Sequence, residues 1–127
     1  MAKAILDSSA ILAVLNNEIG SQVVIATLDD ALTSAVNYAE VISKLVERGA
    51  TLEQARALLR TINVAVAEFD RPMAERAGEL RATTKRLGLS LGDRACIALA
   101  EREKTPALTG DRRWVDAGCE ADIRLIR

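Results

Sequence analysis

The sequence has 127 residues, a net charge of −1 and an isoelectric point near 5.5. Half of its residues are hydrophobic and only 2% are aromatic, so we expect one folded domain over residues 1–127 with an aliphatic core. The chain has no histidine and no excess of basic residues, which excludes histidine-based catalysis and argues against a broad basic or base-stacking surface for nucleic acid.

The first half of the chain alternates between short apolar strands and helices. A strand at 4–6 leads through Asp7, Ser8 and Ser9 into a helix at 10–15, and a second helix follows at 22–28. The next apolar run, at 31–36, predicts a strand, and Asn37 is expected to cap the helix that ends at Gly49. Thr51 and Gln54 form a capping box that opens a helix reaching about Thr61.

The second half repeats this alternation. Strands are predicted at 64–69, 106–109 and 123–126, with a helix from Pro72 to about Leu87 and another that begins behind Ser90. Short apolar strands that alternate with helices favour a three-layer α/β sandwich around a central, mainly parallel sheet of about five strands.

The cysteines and the apolar runs indicate where in the cell the protein is expected. Cys96 and Cys119 form no CxxC pair, so we interpret them as buried thiols of a reducing compartment. We find neither a signal peptide nor a run of apolar residues long enough to cross a membrane, and we therefore expect a cytoplasmic protein.

Four acids occur where strands pass into helices. Asp7 follows the first strand, Glu40 is expected in the first turn of the helix after the second strand, Asp93 lies in the first turn of a later helix, and Asp111 follows the fourth strand. Asp116 is a fifth candidate. Ligands of parallel sheets bind at the carboxyl ends of strands, so these acids could converge on one rim. Carboxylates without imidazole suit Mg²⁺ or Mn²⁺.

Each acid also has a structural explanation. Asn37-x-x-Glu40 and Ser90-x-x-Asp93 resemble capping boxes, Asp7 suits a helix N-terminus, and Asp111 suits a turn. However, Thr51-x-x-Gln54 shows that this chain can cap a helix without an acid. Several carboxylates at one rim would repel one another unless a cation compensated them, so we favour a metal site.

Taken in order, four segments resemble the motifs of the PIN-domain ribonucleases, specifically the VapC-type toxins of bacterial toxin–antitoxin pairs. The segments are Ile5-Leu6-Asp7-Ser8-Ser9-Ala10, Asn37-Tyr38-Ala39-Glu40-Val41, Ser90-Leu91-Gly92-Asp93-Arg94 and Leu108-Thr109-Gly110-Asp111-Arg112-Arg113-Trp114. The resemblance extends over essentially the whole chain, and it rests on the ordered set, since any one motif alone is weak.

The resemblance implies an Mg²⁺- or Mn²⁺-dependent endoribonuclease that hydrolyses RNA phosphodiesters with metal-activated water. The catalytic metal ligands would be Asp7, Glu40, Asp93 and Asp111, with Asp116 in a less certain supporting role. Ser9 and Thr109 match positions where the family often has a hydroxyl that orients an acid or a water.

The resemblance also implies partners. A cognate antitoxin would cover the acids by binding over helices near 21–28 and 37–60, and the chain would form a homodimer. Arg94, Arg112 and Arg113 adjoin the proposed ligands and are candidates for contact with the RNA backbone, although they could equally balance the nearby acids.

Two other functions remain open at this point. An aspartate-based phosphoryl-transfer protein, either a phosphatase or a receiver, would use Asp7 as its nucleophile. However, Ser9 stands where a haloacid-dehalogenase-like phosphatase has a second aspartate, and no lysine follows Thr109 as a receiver would require. The other alternative is a non-catalytic interaction module in which the acids only cap helices.

Overall fold

The computed structural model describes residues 2–127 and contains one sheet of five parallel strands in the order β3-β2-β1-β4-β5. The strands are β1 (Ala4–Leu6), β2 (Ala31–Ser34), β3 (Ala65–Ala67), β4 (Ala107–Thr109) and β5 (Ile123–Leu125). With helices on both faces, this sheet confirms the predicted three-layer α/β architecture.

Helices fill the connections between the strands. The α-helices are α1 (Ser8–Leu15), α2 (Ser21–Ile25), α3 (Ala35–Glu47), α4 (Leu52–Ile62), α5 (Arg71–Glu79), α6 (Arg81–Thr84) and α7 (Leu91–Glu103). Short 3₁₀ helices cover Leu28–Asp30, Lys85–Leu87 and Arg112–Asp116. Within residues 2–127, none of the helices combines the length and the apolar character that crossing a membrane requires.

Alternation along the central strand divides the core between the two faces of the sheet. Ala4 and Leu6 of β1 pack with buried residues of helices α1 to α4. Ile5, which points to the opposite face, packs with buried residues of α5 and α7 and with Trp114. Because successive side chains of a strand point to opposite faces, this short strand contributes to both cores.

The start of α3 differs from the prediction. Strand β2 ends at Ser34, whose hydroxyl accepts a hydrogen bond from the backbone N–H of Val36 at 3.1 Å and caps α3. The predicted cap at Asn37 is therefore wrong, and Asn37 is a buried residue of the first turn. Glu40 consequently lies in the second turn of α3, not in the first.

The single helix predicted up to Leu87 is also interrupted. Helix α5 ends at Glu79, and α6 and a 3₁₀ turn follow before Gly88 adopts φ +69°. The carbonyl of Leu80 accepts hydrogen bonds from both the backbone N–H and the hydroxyl of Thr84, at 3.1 and 2.8 Å. The same carbonyl also accepts from the backbone N–H of Thr83 at 3.2 Å, a 3₁₀-type bond that tightens the turn at the point where α5 ends.

The strand order reverses at the pair β1 and β4. From β1 the chain proceeds outward to β2 and β3, whereas β4 and β5 lie on the other side of β1. Such a reversal opens a crevice at the carboxyl ends of the two strands, where α/β proteins bind their ligands. Asp7 directly follows β1 and Thr109 ends β4, so both lie at this crevice.

Candidate metal centre

Asp7 is the most buried acid of the crevice. It caps α1, is 3% exposed and accepts a hydrogen bond from the backbone N–H of Ala10 at 2.8 Å. The hydroxyl of Ser9 donates to Oδ1 at 2.7 Å, and that of Thr109 donates to Oδ2 at 2.6 Å. Both hydroxyl residues singled out in the sequence thus hold the carboxylate of Asp7.

The surroundings of Asp7 penalise its charge. Burial raises the pKa of Asp7 from 3.8 to about 6, although the hydrogen bonds from Thr109, Ser9 and Ala10 oppose the rise. The negative charge of Asp93 raises this pKa further. A carboxylate that is desolvated and faces a second carboxylate favours the approach of a cation.

Glu40 reaches the first turn of α7 from α3. The side-chain amide of Asn37 donates to Oε1 of Glu40 and to the carbonyl oxygen of Gly92, both at 3.0 Å. The carboxyl group of Glu40 fills the space that a Cβ atom on residue 92 would occupy. Glu40 therefore lies against the residue that precedes Asp93.

Asp93 serves in a capping box as predicted. Its carboxylate accepts from the backbone N–H of Ser90 at 2.8 Å, and the hydroxyl of Ser90 accepts from the backbone N–H of Asp93 at 3.2 Å. Asp93 therefore caps α7 and also lies near Asp7. Asp93 is thus fixed on a helix terminus while its charge still acts on Asp7.

The thiol of Cys96 lies near Asp7, Glu40 and Asp93. The thiol is fully buried on α7, and burial raises its pKa. The charges of Asp7, Asp93 and Glu40 all raise this pKa further. The charges of acids from three separate elements therefore reach this buried thiol.

Asp111 and Asp116 are placed differently. Two nitrogens of Arg113 bind the carboxylate of Asp111, with Nε to Oδ1 at 3.0 Å and Nη2 to Oδ2 at 2.6 Å, and this ion pair lowers the pKa of Asp111. The backbone N–H of Asp111 donates to the Thr109 hydroxyl at 3.0 Å, which links its turn to Asp7. Asp116 is exposed, and its carbonyl oxygen accepts from Arg86 at 2.6 Å.

The three arginines also differ. Arg94 donates through Nη1 to the carbonyl oxygen of Ala77 at 2.9 Å and so joins α7 to α5. Arg113 adds bonds to the carbonyl oxygens of Leu87 and Gly88, at 2.9 and 3.3 Å, so its guanidinium is committed within the protein. Arg112 is exposed, and no hydrogen bond or ion pair to another residue of the described range engages its guanidinium.

The donor atoms suit a hard divalent cation, because they are carboxylate and hydroxyl oxygens in a site whose negative charges are close together. Within residues 2–127, however, no three acidic or sulfur ligands already surround one point at metal-binding distance. Asn37 engages only Oε1 of Glu40, and the backbone of Ser90 engages only Oδ2 of Asp93. The chemistry of the residues therefore fits such an ion, because these partners fix each carboxylate through one oxygen and leave the other oxygen to a cation.

Sequence reasoning missed the supporting roles of Asn37 and Gly92. A signal for Asn37 was present, since Asn37, Val41 and Leu45 follow one another at four-residue spacing on the buried face of α3. A polar residue on an otherwise apolar helical stripe needs a partner. No comparable signal marks Gly92, because its role depends on the packing of α3 against α7.

The sequence profile of the PIN domain matches residues 4–118, and the chain therefore belongs to the PIN-domain family. This match confirms the resemblance drawn from the ordered motifs. No curated protein matches the chain.

Solved structures share the fold. A chain of the DNA-bound VapBC complex from Salmonella typhimurium is 19% identical with a TM-score of 0.79, and the alignment covers 100% of both chains. VapBC-1 from nontypeable Haemophilus influenzae is 21% identical with a TM-score of 0.72, covering 97% of both chains. VapC20 from Mycobacterium tuberculosis, a toxin that cleaves the sarcin-ricin loop, is 19% identical with a TM-score of 0.72, covering 91% of this chain and 95% of that one.

Proposed function

We propose that this PIN-domain protein is an Mg²⁺- or Mn²⁺-dependent endoribonuclease and the toxin of a toxin–antitoxin pair. The observation that carries the proposal is that Asp7, buried at the reversal of strand order, lies close enough to Asp93 to feel its charge, while the Glu40 carboxyl group lies against Gly92, the residue before Asp93. The fold shared with VapBC complexes and with an RNA-cleaving toxin supports the same function.

The residues have separate tasks in the proposed reaction. Ser9 and Thr109 hold Asp7, Asn37 holds Glu40, and the N-terminus of α7 holds Asp93, so the three carboxylates can offer oxygens to a cation. An Mg²⁺ or Mn²⁺ ion held by these carboxylates would supply an activated water and would offset charge on the scissile phosphate. Asp111 and Asp116 remain proposed additional ligands. To bind the cation, the carboxylate of Asp111 would have to exchange its contacts with Arg113 for the ion.

Among the three arginines, Arg112 is the best candidate for contact with the RNA backbone. Its side chain is exposed next to Asp111, whereas Arg94 and Arg113 are held by carbonyl oxygens and by Asp111. One free arginine together with a cation would compensate for the slightly negative net charge of the chain. RNA binding should therefore depend on the cation more strongly than it does in a basic protein.

For the antitoxin, we propose the face formed by α2, α3 and α4. Several of its apolar side chains are 42 to 48% exposed, namely Val23, Ile25, Val46, Leu52 and Leu58. Apolar side chains exposed on neighbouring helices suit an apolar segment of a partner. A homodimer in the cytoplasm is also proposed, and light scattering on the purified chain would test its oligomeric state.

Nothing observed favours the phosphoryl-transfer alternative. Asp7 is only 3% exposed, and Ser9, which stands in the place of a phosphatase's second aspartate, donates its hydroxyl to the Asp7 carboxylate. The hydroxyls of Ser9 and Thr109 fix the orientation of the Asp7 carboxylate, as outer partners of metal ligands do.

The decisive experiment compares the wild type with Asp7→Asn and Asp93→Asn. We expect Mn²⁺ to bind the wild type in calorimetric titration and to support RNA cleavage, and we expect both variants to lose cleavage while remaining folded. Gln54→Ala is the matched control, since this residue caps α4 without serving the proposed site. Cleavage at the wild-type rate by either aspartate variant would show that the site is wrongly assigned.

A small phosphomonoester assayed in parallel separates the rival function. Hydrolysis of this monoester without any cleavage of RNA would instead support a phosphatase. Absence of Mn²⁺ binding by the wild type would favour a non-catalytic interaction module.

A further inference from the structure

Asn37 is a polar residue where packing alone would favour an apolar one. It is 1% exposed on the face of α3 that also buries Val41 and Leu45. Its amide nitrogen makes two hydrogen bonds, whereas its Oδ1 atom finds no donor among residues 2–127. A buried acceptor without a donor destabilises the fold, so a purely structural role would not favour asparagine here.

The orientation of this amide is determined by its two partners. The carboxylate oxygen of Glu40 and the carbonyl oxygen of Gly92 are both acceptors, and both lie 3.0 Å from Nδ2. Exchanging the nitrogen and oxygen of the amide would bring three acceptors together. Asn37 therefore joins an acid of α3 to the first turn of α7 through one donor group.

Gly92 completes this arrangement from the other side. The three nearest neighbours of a Cβ atom on residue 92 would be the three atoms of the Glu40 carboxyl group, all well inside van der Waals contact. The backbone of Gly92 is helical and needs no left-handed conformation. Its lack of a side chain therefore provides the space in which the Glu40 carboxylate lies.

We propose that Asn37 and Gly92 are positioning residues that hold the Glu40 carboxylate against the first turn of α7, next to Asp93, so that divalent cations bind tightly. This inference rests on the proposed function. Neither residue is proposed to touch the cation. Residues that orient a metal ligand commonly change the affinity for the metal by about 10–100-fold.

Gly92→Ala gives the clearest test because it affects the fold and the site in opposite directions. Alanine is favoured over glycine in a helix, and the only group that the new methyl displaces among its nearest neighbours is the end of the Glu40 side chain. We expect the metal-free variant to be at least as stable as the wild type in urea unfolding. We expect its dissociation constant for Mn²⁺, measured by calorimetry, to rise at least tenfold.

Asn37→Ala and Asn37→Leu test the other half of the proposal. Both variants lack the amide donor, and leucine keeps roughly the volume of the side chain without adding a charge, so both should weaken Mn²⁺ binding by about tenfold or more. In a Glu40→Gln background, Asn37→Ala should not weaken Mn²⁺ binding any further, because Asn37 acts through Glu40. Thr105→Ala, which removes a buried polar group at the opposite end of β4, controls for a general loss of stability.

The outcomes separate this inference from the proposed function. If the wild type binds no Mn²⁺, the proposed function fails and the positioning role fails with it. If the wild type binds Mn²⁺ and Glu40→Gln weakens binding, but Gly92→Ala and Asn37→Ala bind as the wild type does, only the positioning role is overturned. Weaker binding by both variants, with Thr105→Ala unchanged and no further loss in the Glu40→Gln background, supports it.

Discussion

At the scale of single residues, the chain retains charges that folding alone would avoid. Asp7 is buried just beyond the end of the central strand, and the groups that donate to its carboxylate are neutral hydroxyls and a backbone N–H. Its charge therefore depends on neutral partners that compensate only part of the desolvation. Buried charges of this kind are expected at sites where a bound ligand compensates the free-energy cost of desolvation.

This cost gives a first prediction, for Asp7→Asn in metal-free protein at pH 7.5. The rise of the pKa from 3.8 to about 6 means that the folded state holds the charged form less favourably than the unfolded chain, by up to ~3 kcal/mol at this pH. Removing the charge should increase the free energy of unfolding by about 1–3 kcal/mol, because the amide replaces some of the hydrogen bonds imperfectly. Urea unfolding in the presence of a chelator measures the change.

Asp29→Asn is the matched control for this measurement. Asp29 is exposed in a short 3₁₀ helix, so its substitution should change the free energy of unfolding by no more than about 0.5 kcal/mol. A destabilised Asp7→Asn protein would show that the hydrogen bonds to Asp7 outweigh the cost of burying its charge.

At the scale of elements, α5 and α7 are joined by a pair of charges away from the candidate site. Arg76 on α5 donates through Nε and Nη2 to the two carboxylate oxygens of Glu101 on α7, at 2.7 and 2.9 Å. The backbone N–H of Glu120 also donates to Glu101 at 2.8 Å. These contacts lower the pKa of Glu101, whose side chain is only 9% exposed.

Glu101→Gln should therefore destabilise the protein in a pH-dependent way. Because the pKa of Glu101 is lower in the folded state than its unfolded value of 4.5, the contribution of its charge is present above about pH 4.5. That contribution is lost as the pH falls through the lower, folded value. At pH 7 we expect a loss of about 1–2 kcal/mol in urea unfolding, and at pH 3 a clearly smaller difference between variant and wild type.

Glu79→Gln controls for the loss of any charge next to Arg76. Glu79 pairs with the same guanidinium at 2.8 Å, but its side chain is 71% exposed. An exposed pair of this kind contributes little, so this variant should stay within about 0.5 kcal/mol of the wild type at either pH. Equal effects of the two substitutions would mean that the burial of Glu101 has no energetic importance.

Elements were predictable from the sequence where the deciding interactions are local. The capping boxes at Thr51 and Ser90 depend on residues three positions apart, and both occur in the structure. The start of α3 was missed because Ser34 and Asn37 are both good caps, and only the end of β2 selects Ser34. The interruption after α5 was missed because the residue pattern does not reveal the tightened, 3₁₀-type turn at Leu80.

At the scale of the whole molecule, the site depends on contacts between distant parts of the chain. The hydrogen bond from Thr109 to Asp7 joins residues 102 positions apart, and that from Asn37 to Gly92 joins residues 55 apart. The rule for parallel sheets predicted that the acids would converge near the strand ends. Asp7 lies near Asp93, and Glu40 lies against Gly92. That these acids bind one cation stays a prediction. The pairing of Asp111 with Arg113 could not be derived from that rule. The rule places a carboxylate near the strand ends but does not say whether it pairs with a neighbouring arginine or faces the other acids.

Since the acids come from separate elements of the sheet and its helices, a cation that binds them should stabilise the entire fold. A ligand that binds only the folded state adds RT ln(1 + [L]/Kd), or about 2.7 kcal/mol at a concentration of 100 Kd. For a chain of 127 residues this corresponds to a rise of roughly 10 °C in the melting temperature. Thermal unfolding with increasing Mn²⁺ or Mg²⁺, reversed by a chelator, measures it.

The same titration on Asp7→Asn distinguishes binding at the site from weak binding to surface acids. Surface acids such as Asp29 and Asp122 remain in this variant, whereas the buried carboxylate on which the site is centred is absent. Metal-free Asp7→Asn should melt at a higher temperature than the metal-free wild type, yet its melting temperature should hardly respond to the cation. The two curves should therefore converge or cross as the metal concentration rises, because one charge both destabilises the empty fold and binds the ion. Parallel curves, with equal shifts for both proteins, would mean that the cation binds elsewhere.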